Sequence, residues 1–195
     1  MKIKSLACAI SLLSVSAINA QTLEITVTNL TQGMHFTPII VSAHTAENSL
    51  FSVGTVASAE LQAMAEGGDI SGLAALMTAA NANTVENPAG GLLAPTTSAM
   101  ATLETDATNV RLSIAAMILP TNDGFVGANS WMIPTDAGTY SFYLNAYDAG
   151  TEANNELVNG GGAPGALGIP AAPSGNSGIN GTGVEDLSSN SNIHI

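Results

Sequence analysis

Two short stretches hold the residue types best suited to chemistry. Pro120-Thr121-Asn122-Asp123-Gly124-Phe125-Val126-Gly127 and Tyr147-Asp148-Ala149-Gly150-Thr151-Glu152-Ala153-Asn154 each follow a strand-like run, and each sets carboxylates in a turn that contains glycine. Asp123, Asp148 and Glu152 could meet at one end of a β-sandwich. Their hard oxygens suit Ca²⁺, which takes about 6–8 such donors from carboxylates, carbonyls and water. Gly124 and Gly150 allow tight turns that aim backbone carbonyls inward. Asn122 and Asn154 are further oxygen donors. Zn²⁺ fits poorly, because neither a cysteine nor a His pair lies nearby. The spacing by itself is weak, since Asp-x-x-x-Glu is common. It leaves open the plainer alternative of three solvated loop acids, with Asp123 and Asp148 in turn hydrogen bonds.

Elsewhere the chain is poor in catalytic residue types. Its histidines are His35, His44 and His194. Serine and aspartate are abundant, so a His-Asp-Ser hydrolase can be drawn, but no Gly-x-Ser-x-Gly elbow occurs. A lone His beside strand residues is usually a satisfied structural group. The expectation is a chain without catalytic residues. The alternative from another class is a secreted hydrolase with a His- or metal-centred site, which a convergent His and carboxylate cluster in one pocket would favour. Trp131 reads as a core or rim aromatic, and an exposed Trp could anchor a sugar or a partner.

Composition sets the setting. Lys2 and Lys4 form a basic start, Leu6 to Ile18 an apolar run, and Ser16-Ala17-Ile18-Asn19-Ala20 offers small residues before a cut at Ala20/Gln21. Residues 1–20 are expected to be a signal peptide. The apolar run is short for a membrane span and is followed by polar residues. The one cysteine, Cys8, falls inside that segment. Removing it leaves a domain of about 175 residues, enough for one core. Fifteen acids then face a single base, Arg111. Such a chain repels nucleic acid and anionic lipid and attracts cations. The expected location is secreted, periplasmic or at the cell surface, with no membrane insertion after the signal is removed.

The elements that must position the carboxylates follow from patterning. Leu23, Ile25 and Val27 alternate with Glu24, Thr26 and Thr28, a half-buried strand. Ile39-Ile40-Val41 reads as a second strand, and Leu50 to Gly54 as a loop or short strand. Ser58 can N-cap a helix whose Leu61, Met64 and Ala65 share a face, and Gly67-Gly68 ends it. Ile70 to Ala80 repeats the helical spacing with Leu73, Leu76 and Met77. Strands are expected again over Thr97–Leu103, over the nearly all-apolar Val110–Leu119, and over the alternating Gly138–Leu144. Short strands with turn signals between them point to an antiparallel sandwich. Asn159 to Gly183 is rich in Gly, Pro, Ala, Ser and Asn and reads as a long loop, with Ile193-His194-Ile195 returning as an edge strand.

Five separated segments resemble one family. Ile25-Thr26-Val27-Thr28-Asn29-Leu30-Thr31, Phe36-Thr37-Pro38 and Ala43-His44 are similar to the start of a spondin N-terminal type domain, and the two carboxylate stretches are similar to its metal-loop segments. The resemblance runs over about residues 23 to 156 in the same order, and is to stand-alone bacterial members. It implies an all-β, C2-like antiparallel β-sandwich with short helical insertions over 21–195, extracellular and binding one Ca²⁺ through Asp123, Asp148 and Glu152. Glu152 stands where animal members often have Asp. The animal members' cysteines are absent, and a Gly/Pro-rich loop at about 158–183 replaces a His-rich strand region. The expected role is adhesion or binding of an unknown protein or glycan partner.

Overall fold

The structure, a computed structural model, describes residues 20–152 together with Asn192, Ile193 and Ile195. The expected signal peptide (apart from Ala20), the Gly/Pro-rich loop, Asn154 and His194 lie outside the described residues. The elements run β1 (Thr22–Thr28), β2 (His35–Phe36), β3 (Ile40–His44), α1 (Ala59–Gly67), α2 (Ser71–Ala79), β4 (Asn83–Glu86), β5 (Ser98–Glu104), β6 (Arg111–Leu119), β7 (Gly124–Met132) and β8 (Asn145–Asp148). Every strand pairing is antiparallel.

The strands form two sheets. One is β1 with β5; the other runs β4-β3-β6-β7-β8, with β2 also on β6. β6 explains the layering, because it is apolar on both faces. Leu112, Ile114 and Ala116 pack with Val27, Ala99, Ala101 and Leu103 of the smaller sheet. Ala115 and Met117 pack the other way, against Leu61 and Met64 of α1, Leu73 and Met77 of α2, and Phe51, Phe125 and Tyr147. The helices therefore cover one face of the larger sheet and β1–β5 covers part of the other. This is an antiparallel β architecture with two short helices, as expected.

The helices start and stop for local reasons. Ser58 Oγ accepts from Leu61 N at 3.2 Å, capping α1. Gly68 closes it in the left-handed region (φ 70°), donating to Met64 O at 2.8 Å, while Asp69 N reaches Ala63 O. A side chain there would be strained, which is why Gly follows the helix. Asp69 Oδ1 accepts from Ser71 N at 2.9 Å and leads directly into α2.

Two expectations are corrected. Gly138–Leu144 alternates but forms no ladder, and the strand begins only at Asn145. β8 pairs β7 over Gly124–Gly127 alone, and beyond that the β6–β7 register shifts at Leu112/Ile114. A bulge bends the strand that carries it, so among the described residues 138–144 joins no ladder. Gly124 to Gly127, expected in a turn, instead open β7. Ile193 is buried against the helix-side core and exchanges bonds with the loop after Phe51, Ile193 N to Thr55 O (2.9 Å) and Gly54 N to Ile193 O (2.8 Å); the rest of the edge strand expected over Ile193–Ile195 turns on His194, outside the described residues.

Phe125 anchors the start of β7. Its ring sits 5.0 Å from Phe51 and 5.2 Å from Tyr147, with no exposed surface. Phe125→Ala should lower the unfolding free energy by about 3–5 kcal/mol in urea titration. A loss under about 1 kcal/mol, the scale of a surface substitution, would show that the three-ring cluster does not hold the β7 end.

Candidate metal centre

The turn from β6 to β7 carries Asp123, only 1% exposed. Thr121 Oγ1 accepts from Gly124 N at 3.0 Å, and a Cβ at Gly124 would meet that same oxygen at 2.8 Å. Gly124 is therefore needed for space, not for an unusual φ. Asp123 Oδ2 accepts from the backbone of Thr151 (2.8 Å) and Glu152 (3.0 Å) and from Thr151 Oγ1 (3.3 Å). Its carbonyl accepts from Ala149 N at 3.2 Å. The two carboxylate stretches are thus tied together by one side chain. Gly150, at φ 71°, makes the bend after β8, and its N–H donates to Asp148 Oδ1 at 2.7 Å.

The structure adds a residue that sequence reading missed. Glu66, in the last turn of α1, has no exposed surface and belongs to the same cluster. Its Oε1 accepts from Gln62 Nε2 at 2.8 Å. A carboxylate at a helix C-terminus faces the negative end of the macrodipole, an unfavourable place for an anion. The sequence signal was slight: Glu66 directly follows Ala65 of the apolar face, a place where an acid is ordinarily solvated.

The electrostatics are lopsided. Burial, then Asp148, push the Asp123 carboxyl up, against the pull of the Thr151 and Glu152 N–H groups. Burial raises Glu66 as well, tempered by Gln62 and Thr151, with Asp123 adding to the rise. Glu152 is pushed up to about 7 by burial, then by Glu66 and Asp123. Among the described residues the one Lys or Arg, Arg111, starts β6, a full strand away and roughly 26 Å at the usual rise per residue. Asp123 Oδ1, Glu66 Oε2 and Glu152 Oε1 are buried and accept no hydrogen bond. Buried acceptors are nearly always paired, so these three carboxylate oxygens call for a partner from outside the chain: water, a proton or a cation.

Of the three predicted ligands, Asp123 and Glu152 come together in this buried cluster. Asp148 is half-buried, opposite Gly124 in the β7–β8 ladder, and acts on Asp123 through its charge. The picture of three solvated loop acids does not describe Asp123 or Glu152. Among the described residues, however, no three His, Cys, Asp or Glu side chains already form a group that could hold a metal ion. His44 is elsewhere, pairing with Arg111 at the other end of β6. It is fully buried, bonded through Nδ1 to Thr45 O and through Nε2 to Ser113 Oγ, each at 2.7 Å. That is the satisfied structural histidine that its strand position suggested.

A raised folded-state pKa means that the native state holds its proton more tightly than the unfolded chain. In metal-free buffer the contribution of Glu152 to stability should be complete below about pH 4.5 and be lost as pH rises through about 7. The melting temperature without metal should fall across that window. Glu152→Gln should remove part of the slope, and an identical slope in the variant would show that Glu152 does not titrate with folding.

The Spondin_N family profile matches residues 27–157, a span that contains Glu66, Asp123, Asp148 and Glu152. No curated protein sequence matches the chain. Among the described residues no helix is long and apolar enough to cross a membrane. With more than half of its length matched, the chain belongs to the spondin N-terminal domain family.

Proposed function

We propose that this chain is a secreted, non-enzymatic β-sandwich module of the C2-like class that binds one Ca²⁺ and works outside the cell through protein or glycan contacts. Family membership supports an extracellular-type module. The observation that carries the calcium reading is the trio of buried carboxylate oxygens without donors on Asp123, Glu66 and Glu152. Asp123, Asp148 and Glu152 are the ligands expected from sequence, and Glu66 joins them. All four offer hard oxygen and anionic charge, the donor chemistry that calcium prefers. When bound, the ion supplies the positive charge that this corner of the protein lacks.

The chain's own residues do the remaining work. The Thr151 and Glu152 N–H groups hold one oxygen of Asp123, leaving the other directed to an ion. Gln62 holds Glu66 in the same way. Gly150 lets the loop after β8 turn back over the β6–β7 turn. Calcium would thereby lock α1 and both loops into one unit.

Calorimetry should show one Ca²⁺ per chain, with Mg²⁺ a poor substitute because it demands a smaller octahedral shell and sheds water reluctantly. Calcium at a hundredfold excess over Kd should add about 2.7 kcal/mol of stability. Asp148→Asn should lose most of the calcium-dependent rise in Tm, with the metal-free Tm unchanged or slightly raised. Glu66→Gln should lose that rise too, and should raise the metal-free Tm by removing a buried charge. No heat of calcium binding by the wild type would end the reading, and would leave water or protons as the partners of these carboxylates.

A further inference from the structure

The smaller sheet has only two strands, facing one of six. Among the described residues it leaves a strip of the larger sheet uncovered beside β1. There a groove of about 1540 Å³ opens between β1 and residues 134–146. Its floor carries Ile118, Val126 and Trp131. Its far wall is the extended, unladdered segment 138–144, with Tyr143 86% exposed and Phe142 stacked on Trp131 at 4.7 Å. Among the described residues neither wall has a strand partner on its groove side. Thr105 N bonds Gln21 O (2.8 Å) and Asn29 N bonds Thr97 O (2.9 Å), so the odd-numbered residues of β1 face β5. By the alternation of an antiparallel ladder, Thr22, Glu24, Thr26 and Thr28 turn their N–H and C=O groups toward the groove. Among the described residues no strand pairs with that edge.

Charge indicates the occupant. The outward side chains of β1 and β5 include Glu24 and Glu104, which are exposed, and Asp136 is at the groove's rim. No Lys or Arg lines the groove. A second copy of this chain would bring acids to acids, with Arg111 its only base after Lys4. A guest strand with Lys or Arg on its outward face would place cations across from Glu24, a favourable cross-strand pairing.

We propose that this open side is a strand-addition site for an extended, cationic segment of a partner protein. The guest bonds to the outward backbone groups of β1 as a third strand of the smaller sheet. Its alternate apolar side chains pack down on Ile118, Val126, Trp131 and Phe142. Main-chain bonds supply affinity and alternate pockets supply selection, as in other strand-addition complexes.

The test uses the full mature chain and a capped peptide of β1's length that alternates lysine with valine. A matched peptide with glutamate for lysine is the control. The lysine peptide should bind, and should slow hydrogen exchange at the Thr22, Glu24, Thr26 and Thr28 amides. Those amides should exchange fast in the free chain. The glutamate peptide should bind at least about tenfold more weakly. Thr26→Pro removes one outward N–H from an edge strand, where Pro is tolerated, and should weaken binding about tenfold or more. Glu24→Lys, an exposed change that leaves folding intact, should shift preference toward the glutamate peptide. Equal binding to wild type and Thr26→Pro, or no shift with Glu24→Lys, would overturn the proposal. So would slow exchange of those amides in the free chain, which would show the edge already covered by the chain's own residues or by a second copy.

Discussion

Strand β6 has no face that it can show to water. Nine residues, Arg111–Leu119, run between two cores, and only the ends carry partial exposure. A strand apolar on both sides must be covered on both sides, and that requirement organises the rest. The helices take one face, with Leu61, Met64, Leu73 and Met77 meeting Ala115 and Met117. The β1–β5 pair takes part of the other, through Val27, Ala99, Ala101 and Leu103. Once α1 lies across the sheet, its last turn must approach the turn that leaves β6. Glu66 comes to the acids by that packing.

The carboxylate cluster is then a consequence with a cost. Two backbone N–H groups and a hydroxyl hold Asp123 Oδ2, which fastens the loop after β8 to the β6–β7 turn. The same bonds draw Glu152 under cover beside Glu66. Local satisfaction of one oxygen forces several anions into a space where water does not offset their repulsion. That repulsion favours the protonated carboxyl, and Glu152 is pushed up to about 7. The cluster thus ties the order of two loops and a helix end to the solution conditions.

β6 and its sheet also separate two kinds of surface. The carboxylates lie with α1 on the helix side. The uncovered strip, with Trp131, Phe142 and the outward edge of β1, lies on the other. The carboxylate cluster and the groove share no residues. Trp131 belongs to the floor of that groove, where its stacking on Phe142 braces the aromatic wall.

Several features were legible in the residues alone, because they depend on local rules. Period-two alternation marked β1. An unbroken apolar run marked β6. Ser58, the 61-64-65 face and Gly68 marked α1, since capping and helical spacing act within a few residues. The two carboxylate stretches were visible as acids set beside glycine, and their order matched a family. The rest required distance in sequence to become contact in space. Gly138–Leu144 alternates like a strand, but alternation specifies a face and not a neighbour, and among the described residues it joins no ladder. Asp123 and Glu152 read equally well as solvated loop acids until backbone donors 28 and 29 residues away closed on Asp123. Glu66 gave little sign of its role, because a helix records which of its faces is buried but not which charges the fold will bring to it. Local propensity is set by neighbours along the chain, whereas burial and electrostatic coupling are set by what packs against it, and only the tertiary structure decides that.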